Sequence, residues 1–334
     1  MAELGGKRKN KLIEKLLVFI CWMTILYVIY IFFKDTTLEA FSKSIDEIYS
    51  YNGWWWLLGL IAFSMYLRGK RWVAIFCSSI NENNTVSLQY HGWFFVLSML
   101  SIFRVGEVLR INWLRQRGMV AAKALSYIFV EKLSDAFVLA LVLSLCIFMA
   151  VTSLATISLV ISFAIIFVYL SLTFCGSFIE RKLNALNPQI NNRHLSFAFD
   201  FFKTNLKNSL ILNNTSINLT LMAFSIAIWT VVILAFHLFI THQFAGVPWY
   251  ASALIVAMVN LTGVLNLSPA NIGPFELSVA VVLVLYEVSQ TDAAIFAVTL
   301  HLMIMITTIV YGCFCRLLIF LTQQQKRTTN DHTR

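Results

Sequence analysis

The sequence predicts an all-α polytopic membrane protein with about six full spans and two re-entrant hairpins, arranged as two inverted halves. Three observations predict it. Of the 334 residues, 59% are hydrophobic and only 12% are charged, against about 25% charged in a soluble domain. The apolar residues fall in runs that suit membrane helices, which need about 20 residues each. Two of the runs are interrupted, at corresponding places along the chain, by Gly, Pro and ionisable residues. This composition excludes a soluble globular enzyme, a disordered tail and a nucleic-acid-binding domain. The chain is expected to form one integral membrane domain over residues 1–334, without room for a second, soluble one. The net charge of +9 is read as basic cytoplasmic loops rather than as a polyanion-binding surface.

The elements follow in order. The run Leu12–Phe33, preceded by Lys7, Arg8, Lys9 and Lys11 and holding Lys15 near its start, is too long for the apolar core of a signal peptide and has no A-x-A exit, so it reads as the first span. The second is Trp54–Cys77, opened by the Trp54-Trp55-Trp56 triplet of an interfacial aromatic belt and broken by Arg68, Lys70 and Arg71. Val86–Leu114 is short, interrupted by Gln89 and His91, and runs into Arg104, Gly106, Glu107 and Arg110. It reads as a re-entrant hairpin. Ala124–Ala150 and Leu154–Gly176, joined only by Val151, Thr152 and Ser153, form an antiparallel pair because so short a link permits nothing else. After a polar stretch from Ser177 to Ser216 comes Ile217–Ile240. Trp249–Tyr286 is the second hairpin, interrupted at Ser268-Pro269-Ala270-Asn271-Ile272-Gly273-Pro274. Ala293–Leu321 is the last span, and a polar tail runs from Thr322.

Charge sets the orientation. With residues 1–11 and 322–334 as cytoplasmic tails and both hairpins re-entrant, the stretches 1–15, 68–86, 104–123, 177–216 and 322–334 are cytoplasmic and hold 21 of the 25 Lys and Arg, while two, Lys34 and Lys43, lie outside. A full crossing by Val86–Phe103 would put Arg115, Arg117 and Lys123 outside, against the positive-inside bias. Half one (about 12–150) and half two (about 154–321) each read span, span, hairpin, span. Each crosses the membrane three times, so the second is inverted relative to the first. The interruptions also share a local pattern, Leu100-Ser101 with Gly106 facing Leu267-Ser268 with Gly273. Paired interrupted segments in inverted halves are the sequence pointer to a transporter's substrate site.

The candidate site residues are the ionisable and turn-forming ones at depth. Charged side chains within a membrane cost at least ~2.5–3.5 kcal/mol each on insertion scales. Glu131, Lys132 and Asp135 lie well inside the fourth inserted segment. Glu131 and Asp135 are i,i+4 and share a face, where like charges repel, so they need a cation between them. Arg104 and Arg110 on the neighbouring hairpin are the expected donors. Glu107 and Arg110 are i,i+3 and pair locally. Asn271 and Glu276 belong to the second interruption, with Glu276 in the first turn after Pro274, where a carboxylate meets the positive end of the helix dipole. Gly106, Pro269, Gly273 and Pro274 form the hairpin turns. Two readings of these charges stand: salt bridges that lock the hairpins, or contacts to a substrate or ion, the second being favoured for intramembrane ionisable groups. His237 and His301 read as polar residues bonded across helices. Cys313 and Cys315 form a C-x-C without a matching pair or a His cluster, so neither a metal nor a cofactor is expected.

Three motifs in order, Arg104-x-Gly106-Glu107-x-x-Arg110, Glu131-Lys132-x-x-Asp135 and Pro269-x-x-x-Gly273-x-Phe275-Glu276, resemble the lysylphosphatidylglycerol synthase transmembrane region, a flippase-like integral membrane family. The likeness runs from about Leu12 to Leu321. Position 102 is Ile where the family usually has Pro, and Lys132 stands where it usually has Arg. The resemblance implies a lipid transporter that moves an anionic phospholipid or lipid-linked envelope precursor across the cytoplasmic membrane. It further implies no enzymatic activity, because the soluble aminoacyl-transferase domain of the best-known relatives is not expected here. The expected partners are membrane lipids and an envelope-synthesis enzyme, with no nucleic acid. The rival readings are a polytopic membrane glycosyltransferase and a non-catalytic partner of an envelope lipid synthase.

Overall fold

The computed structural model describes residues 54–76, 83–101, 105–150, 155–174, 215–265 and 268–332, with residues 39, 42 and 46 besides. The span expected at Leu12–Phe33, most of the outer loop after it, the polar stretch before Thr215, and Arg104 lie outside the described residues. Within the described residues every regular element is helical: α1 (Trp54–Phe76), α2 (Asn84–Leu100), α3 (Val105–Arg115), α4 (Ala121–Ala150), α5 (Ala155–Phe174), α6 (Thr215–Gln243), α7 (Trp249–Leu265), α8 (Pro274–Leu285) and α9 (Gln290–His332). A single 3₁₀ turn, Pro269–Asn271, stands between α7 and α8. Three of these helices are long and apolar enough to cross a membrane, over Ala121–Ala150, Thr215–Gln243 and Gln290–Gln325, and shorter apolar helices accompany them.

Two differences from the sequence reading have local causes. First, α1 does not break at Arg68, Lys70 and Arg71 but runs unbroken to Phe76. Its inward stripe, Leu57, Ile61, Ser64, Arg71 and Ile75, keeps helical spacing straight through the basic residues. Second, α9 continues past Leu321 to His332. Gln323, Gln324, Gln325, Lys326 and Arg327 are good helix formers, and neither Gly nor Pro stands there to stop the helix.

Both interruptions are present. The side chain of Asn83 caps α2 by accepting from the Thr85 N–H (2.8 Å), as short polar residues do at an N-cap. The helix ends at Ser101, whose backbone is extended. The Ser101 hydroxyl donates to the Leu97 carbonyl (2.7 Å) and accepts from the Val105 N–H (2.8 Å). One side chain therefore caps the end of α2 and the start of α3 together. At the second interruption Ala270, Asn271 and Gly273 all have positive φ (52°, 60° and 92°). Gly adopts this without penalty and Asn with little, whereas Ala270 carries a cost of roughly 1–2 kcal/mol. Pro274 then opens α8, and Glu276 closes back on the Gly273 N–H (2.6 Å).

Helix packing places these breaks beside the bundle's interior. α1 lies along α6, α4 along α5, and α9 against both α2 and α8. The α4–α5 pair expected from the short link is stitched by Ser144 donating to the Ser158 carbonyl (2.7 Å) and Ser162 donating to Ser144 (2.9 Å). The Pro269–Asn271 turn packs on α2, so the second interruption meets the arm that leads to the first. Small residues permit these approaches, as in membrane bundles generally. A methyl at Gly106 would overlap the Phe94 carbonyl oxygen and the Ser98 side chain, and one at Gly312 would overlap Val96. Two apolar clusters fill the bundle. One joins α1, α6, α7, α8 and α9 around Phe236, Ile255, Val279 and Phe296. The other joins α1 to α2, α3, α4 and α6 around Trp72, Phe76, Trp113 and Tyr127.

Gly106→Ala should destabilise the protein by about 1–3 kcal/mol, the usual cost of overpacking, because α3 must lift from α2. Gly59→Ala, where an added methyl meets nothing within 4 Å, should be neutral or stabilising by up to about 1 kcal/mol. Thermal unfolding of both variants in detergent micelles measures the difference.

Candidate functional site

Arg71 is the centre of the site, and 1% of its side chain is exposed. It projects from α1 toward α4, where Nη1 donates to Asp135 Oδ1 (2.6 Å) and Nη2 to Asp135 Oδ2 (3.0 Å). This is the two-pronged geometry that guanidinium and carboxylate share. The same Nη2 donates to Glu131 Oε1 (3.0 Å), and Nη1 donates to the Ser225 hydroxyl on α6 (2.7 Å). Asp135 also accepts from the Trp229 indole N–H (3.1 Å). Asp135 lies 14 residues into the 30-residue α4, roughly 21 Å along an axis of about 45 Å. The pair is therefore near mid-length of a helix able to span a bilayer.

The other face of Glu131 meets the first hairpin. Arg110 on α3 donates to Glu131 Oε2 (2.6 Å) through Nη2 and to Glu107 Oε2 (3.0 Å) through Nη1. Lys132 Nζ lies 3.0 Å from Glu107 Oε1. The Arg110 guanidinium also stacks over Trp72, 4.3 Å from the ring centre, which adds a cation–π contact. The result is a continuous relay of alternating charge: Lys132, Glu107, Arg110, Glu131, Arg71, Asp135. It leads from a half-exposed lysine to a carboxylate buried between α1, α4 and α6. Three cations face three carboxylates, so the relay is neutral, as buried charges have to be.

The structure thus brings together five of the residues expected from sequence: Glu107, Arg110, Glu131, Lys132 and Asp135. The cation between Glu131 and Asp135 is Arg71, one of the basic residues expected to break the second span, and Arg110 reaches only Glu131. The i,i+4 carboxylates required a cation, and α1's unbroken apolar spacing was the signal that Arg71 faces inward.

Asn271 and Glu276 belong to a separate polar group at the second interruption. Glu276 Oε1 lies 2.7 Å from His301 Nδ1 on α9, and His301 Nε2 lies 3.1 Å from the Ala270 carbonyl. A carbonyl only accepts, so the contact to Ala270 is made as a hydrogen bond donated by the ring. His301 therefore pins the strained Ala270 turn to α9, bonded across helices as the sequence suggests. Asn271 donates to the Val259 carbonyl (3.3 Å), while its buried side-chain oxygen has no partner. His237 contacts Ser252 at 3.5 Å across α6 and α7. Among the described residues no group of three or more His, Cys, Asp and Glu side chains could hold a metal ion.

A family model described as the lysylphosphatidylglycerol synthase TM region matches residues 13–312. Neither a curated protein nor a solved structure matches the chain.

Replacing Arg71 with Leu strands Asp135 and half of Glu131's charge in a buried setting, and should cost about 3–5 kcal/mol of stability. Lys132→Ala removes a half-exposed partner and should cost under about 1 kcal/mol. Adding Asp135→Asn to Arg71→Leu should cost less than the two single changes combined, by about 0.5–3 kcal/mol. Unfolding curves of the unchanged protein, the two single variants and the double variant form the double-mutant cycle, and a separate curve checks Lys132→Ala.

Proposed function

The chain belongs to the lysylphosphatidylglycerol synthase TM region family, and from that premise we propose that it is a lipid translocator. It carries an anionic phospholipid or lipid-linked envelope precursor across the cytoplasmic membrane, with both termini on the cytoplasmic side. One observation carries this reading: the charge relay joins the short arm of a broken helix pair, α3, to helices long enough to span the bilayer. Charges at that depth are expensive to keep. Holding one short arm in place does not by itself account for so many ions kept at that cost.

On this reading Arg110 exchanges Glu131 for the phosphate of the headgroup as the hairpin moves, a contact that a guanidinium makes well through two N–H groups. Arg104, next to the first break, supplies a second positive group. Glu107, Glu131, Lys132 and Asp135 keep the cavity near neutral at each stage. Asn271 and Glu276 line the second break, which packs against α2. Rocking of one inverted half against the other then alternates access to the two leaflets. The chain works on lipids as cargo and catalyses no covalent step. An envelope-synthesis enzyme is the expected functional neighbour.

Reconstitution tests the proposal. Liposomes containing the protein should translocate a headgroup-labelled anionic phospholipid faster than empty liposomes. Glu107→Gln and Arg104→Ala should each slow translocation about tenfold or more, the worth of one charge-assisted hydrogen bond. Translocation no faster than in empty liposomes, or variants as fast as the unchanged protein, would sink the reading.

A further inference from the structure

A fourth cation, and third guanidinium, lies beside the relay and is not part of it. Arg68 is three residues before Arg71 on α1, partly buried, and about 21 Å along the helix from Trp54. Its guanidinium rests over the Trp229 ring at 4.7 Å and near the Phe95 ring at 5.7 Å. Among the described residues it forms no ion pair, and none of its five N–H donors is hydrogen-bonded. The nearby carboxylates are taken: Asp135 by Arg71 and Trp229, Glu131 by Arg71 and Arg110, Glu107 by Arg110 and Lys132. Counting Arg68, the region holds four cations and three carboxylates. It is short of one negative charge.

We propose that Arg68 is an anion-binding residue whose ligand is the phosphate of a membrane lipid. The aromatic contacts fix the guanidinium plane but satisfy none of its donors, since a ring face takes part through its quadrupole and not by accepting five hydrogen bonds. A planar fork held in place with its donors unmet suits a phosphate, which it meets with two parallel N–H···O bonds. The source of that phosphate is argued from the same indole. Trp229 also lines an apolar crevice of about 320 Å³ between α4, α5 and α6, walled by Phe137, Leu141, Ile166, Met222 and Ile233. That crevice has the lining of a site for an acyl chain and offers little to a free ion. Trp229 is the hinge between the two parts. Its N–H is held by Asp135, its face carries Arg68, and its ring borders the crevice.

This inference deepens the translocation reading and rests on it for the choice of a lipid as ligand. Binding is measured on purified protein in detergent, where transport plays no part, so the two fail separately. The probes are dihexanoylphosphatidylglycerol, its chain-free headgroup glycerophosphoglycerol, and dihexanoylglycerol, which has chains and no phosphate. Intrinsic Trp fluorescence and calorimetry read the binding. The unchanged protein should bind dihexanoylphosphatidylglycerol at least about tenfold more tightly than either fragment. Arg68→Gln should weaken that binding about tenfold, the loss expected for charge-assisted hydrogen bonds. Arg68→Lys, which keeps the charge without the fork, should fall between them. Because Arg68 forms no ion pair, the melting temperature of each variant should stay close to that of the unchanged protein, which shows that the fold is intact. Equal binding by Arg68→Gln, or equal binding of dihexanoylglycerol, would overturn the phosphate assignment. Equal binding of glycerophosphoglycerol would overturn the lipid as its source. Loss of binding in Arg68→Gln while Trp229→Phe retains it would support Arg68 as the anchor.

Discussion

The interior of this bundle depends on where the Arg71 guanidinium goes. Taking a guanidinium and two carboxylates away from water costs several kcal/mol per ion, and only close, well-directed hydrogen bonds offset it. Arg71 has four such bonds, two to Asp135, one to Glu131 and one to Ser225. They tie α1 to α4 and α6 at fixed heights. Apolar packing cannot set that register by itself, because lipid tails are as apolar as the Leu and Ile side chains that face them. A slip of α1 by one turn, 5.4 Å, would leave every apolar residue content and Asp135 without its cation.

The same constraint explains how the irregular backbone at the two breaks is satisfied. Peptide groups freed by a helix break must find partners within the protein when no water is present. At the first break the Ser101 hydroxyl serves both helix ends. At the second, His301 holds the Ala270 carbonyl and Glu276 holds the Gly273 N–H. His301 also lies flat against Phe275, 4.1 Å between ring centres, so the residue that restrains the turn is itself clamped by the helix that follows it. Close contact at Gly106 seats α3 on α2, and that seating delivers Glu107 and Arg110 to α4.

Much of this was legible in the sequence, and the missing part has a physical pattern. Helix positions followed from apolar length, the α4–α5 pair from a three-residue link, and the two breaks from Gly, Pro and Ser in otherwise apolar runs. The i,i+4 spacing of Glu131 and Asp135 demanded a cation, which is present. What composition could not assign was its owner. Arg68, Lys70 and Arg71 fall together in one-dimensional order and look like a basic loop. On a helix they diverge by 100° per residue, so Lys70 faces outward while Arg71 is buried. A count of charges along the chain carries none of the angular information that separates them. Arg110 meets Glu131 alone of that carboxylate pair, and its other prong goes to Glu107 on its own helix.

The relay's connectivity bears on whether it can move. Glu131 is held by two cations, Arg71 and Arg110, and Arg110 by two carboxylates, Glu107 and Glu131. Breaking the Arg110–Glu131 contact therefore strands neither ion, for Glu131 keeps Arg71 and Arg110 keeps Glu107. On the translocation reading, an incoming phosphate takes Glu131's place on Arg110, and the number of ion pairs stays constant through the exchange. The Arg71–Asp135 contact is different. Asp135 has no second ion pair in the relay, so separating it from Arg71 leaves a buried carboxylate without a hydrogen-bonded cation, at a cost of up to about 3–5 kcal/mol. The relay thus has a fixed end, where α1, α4 and α6 meet, and an exchangeable end on the hairpin. A purely structural lock has no need of that asymmetry, while a hinge that must release one arm without unfolding the bundle does.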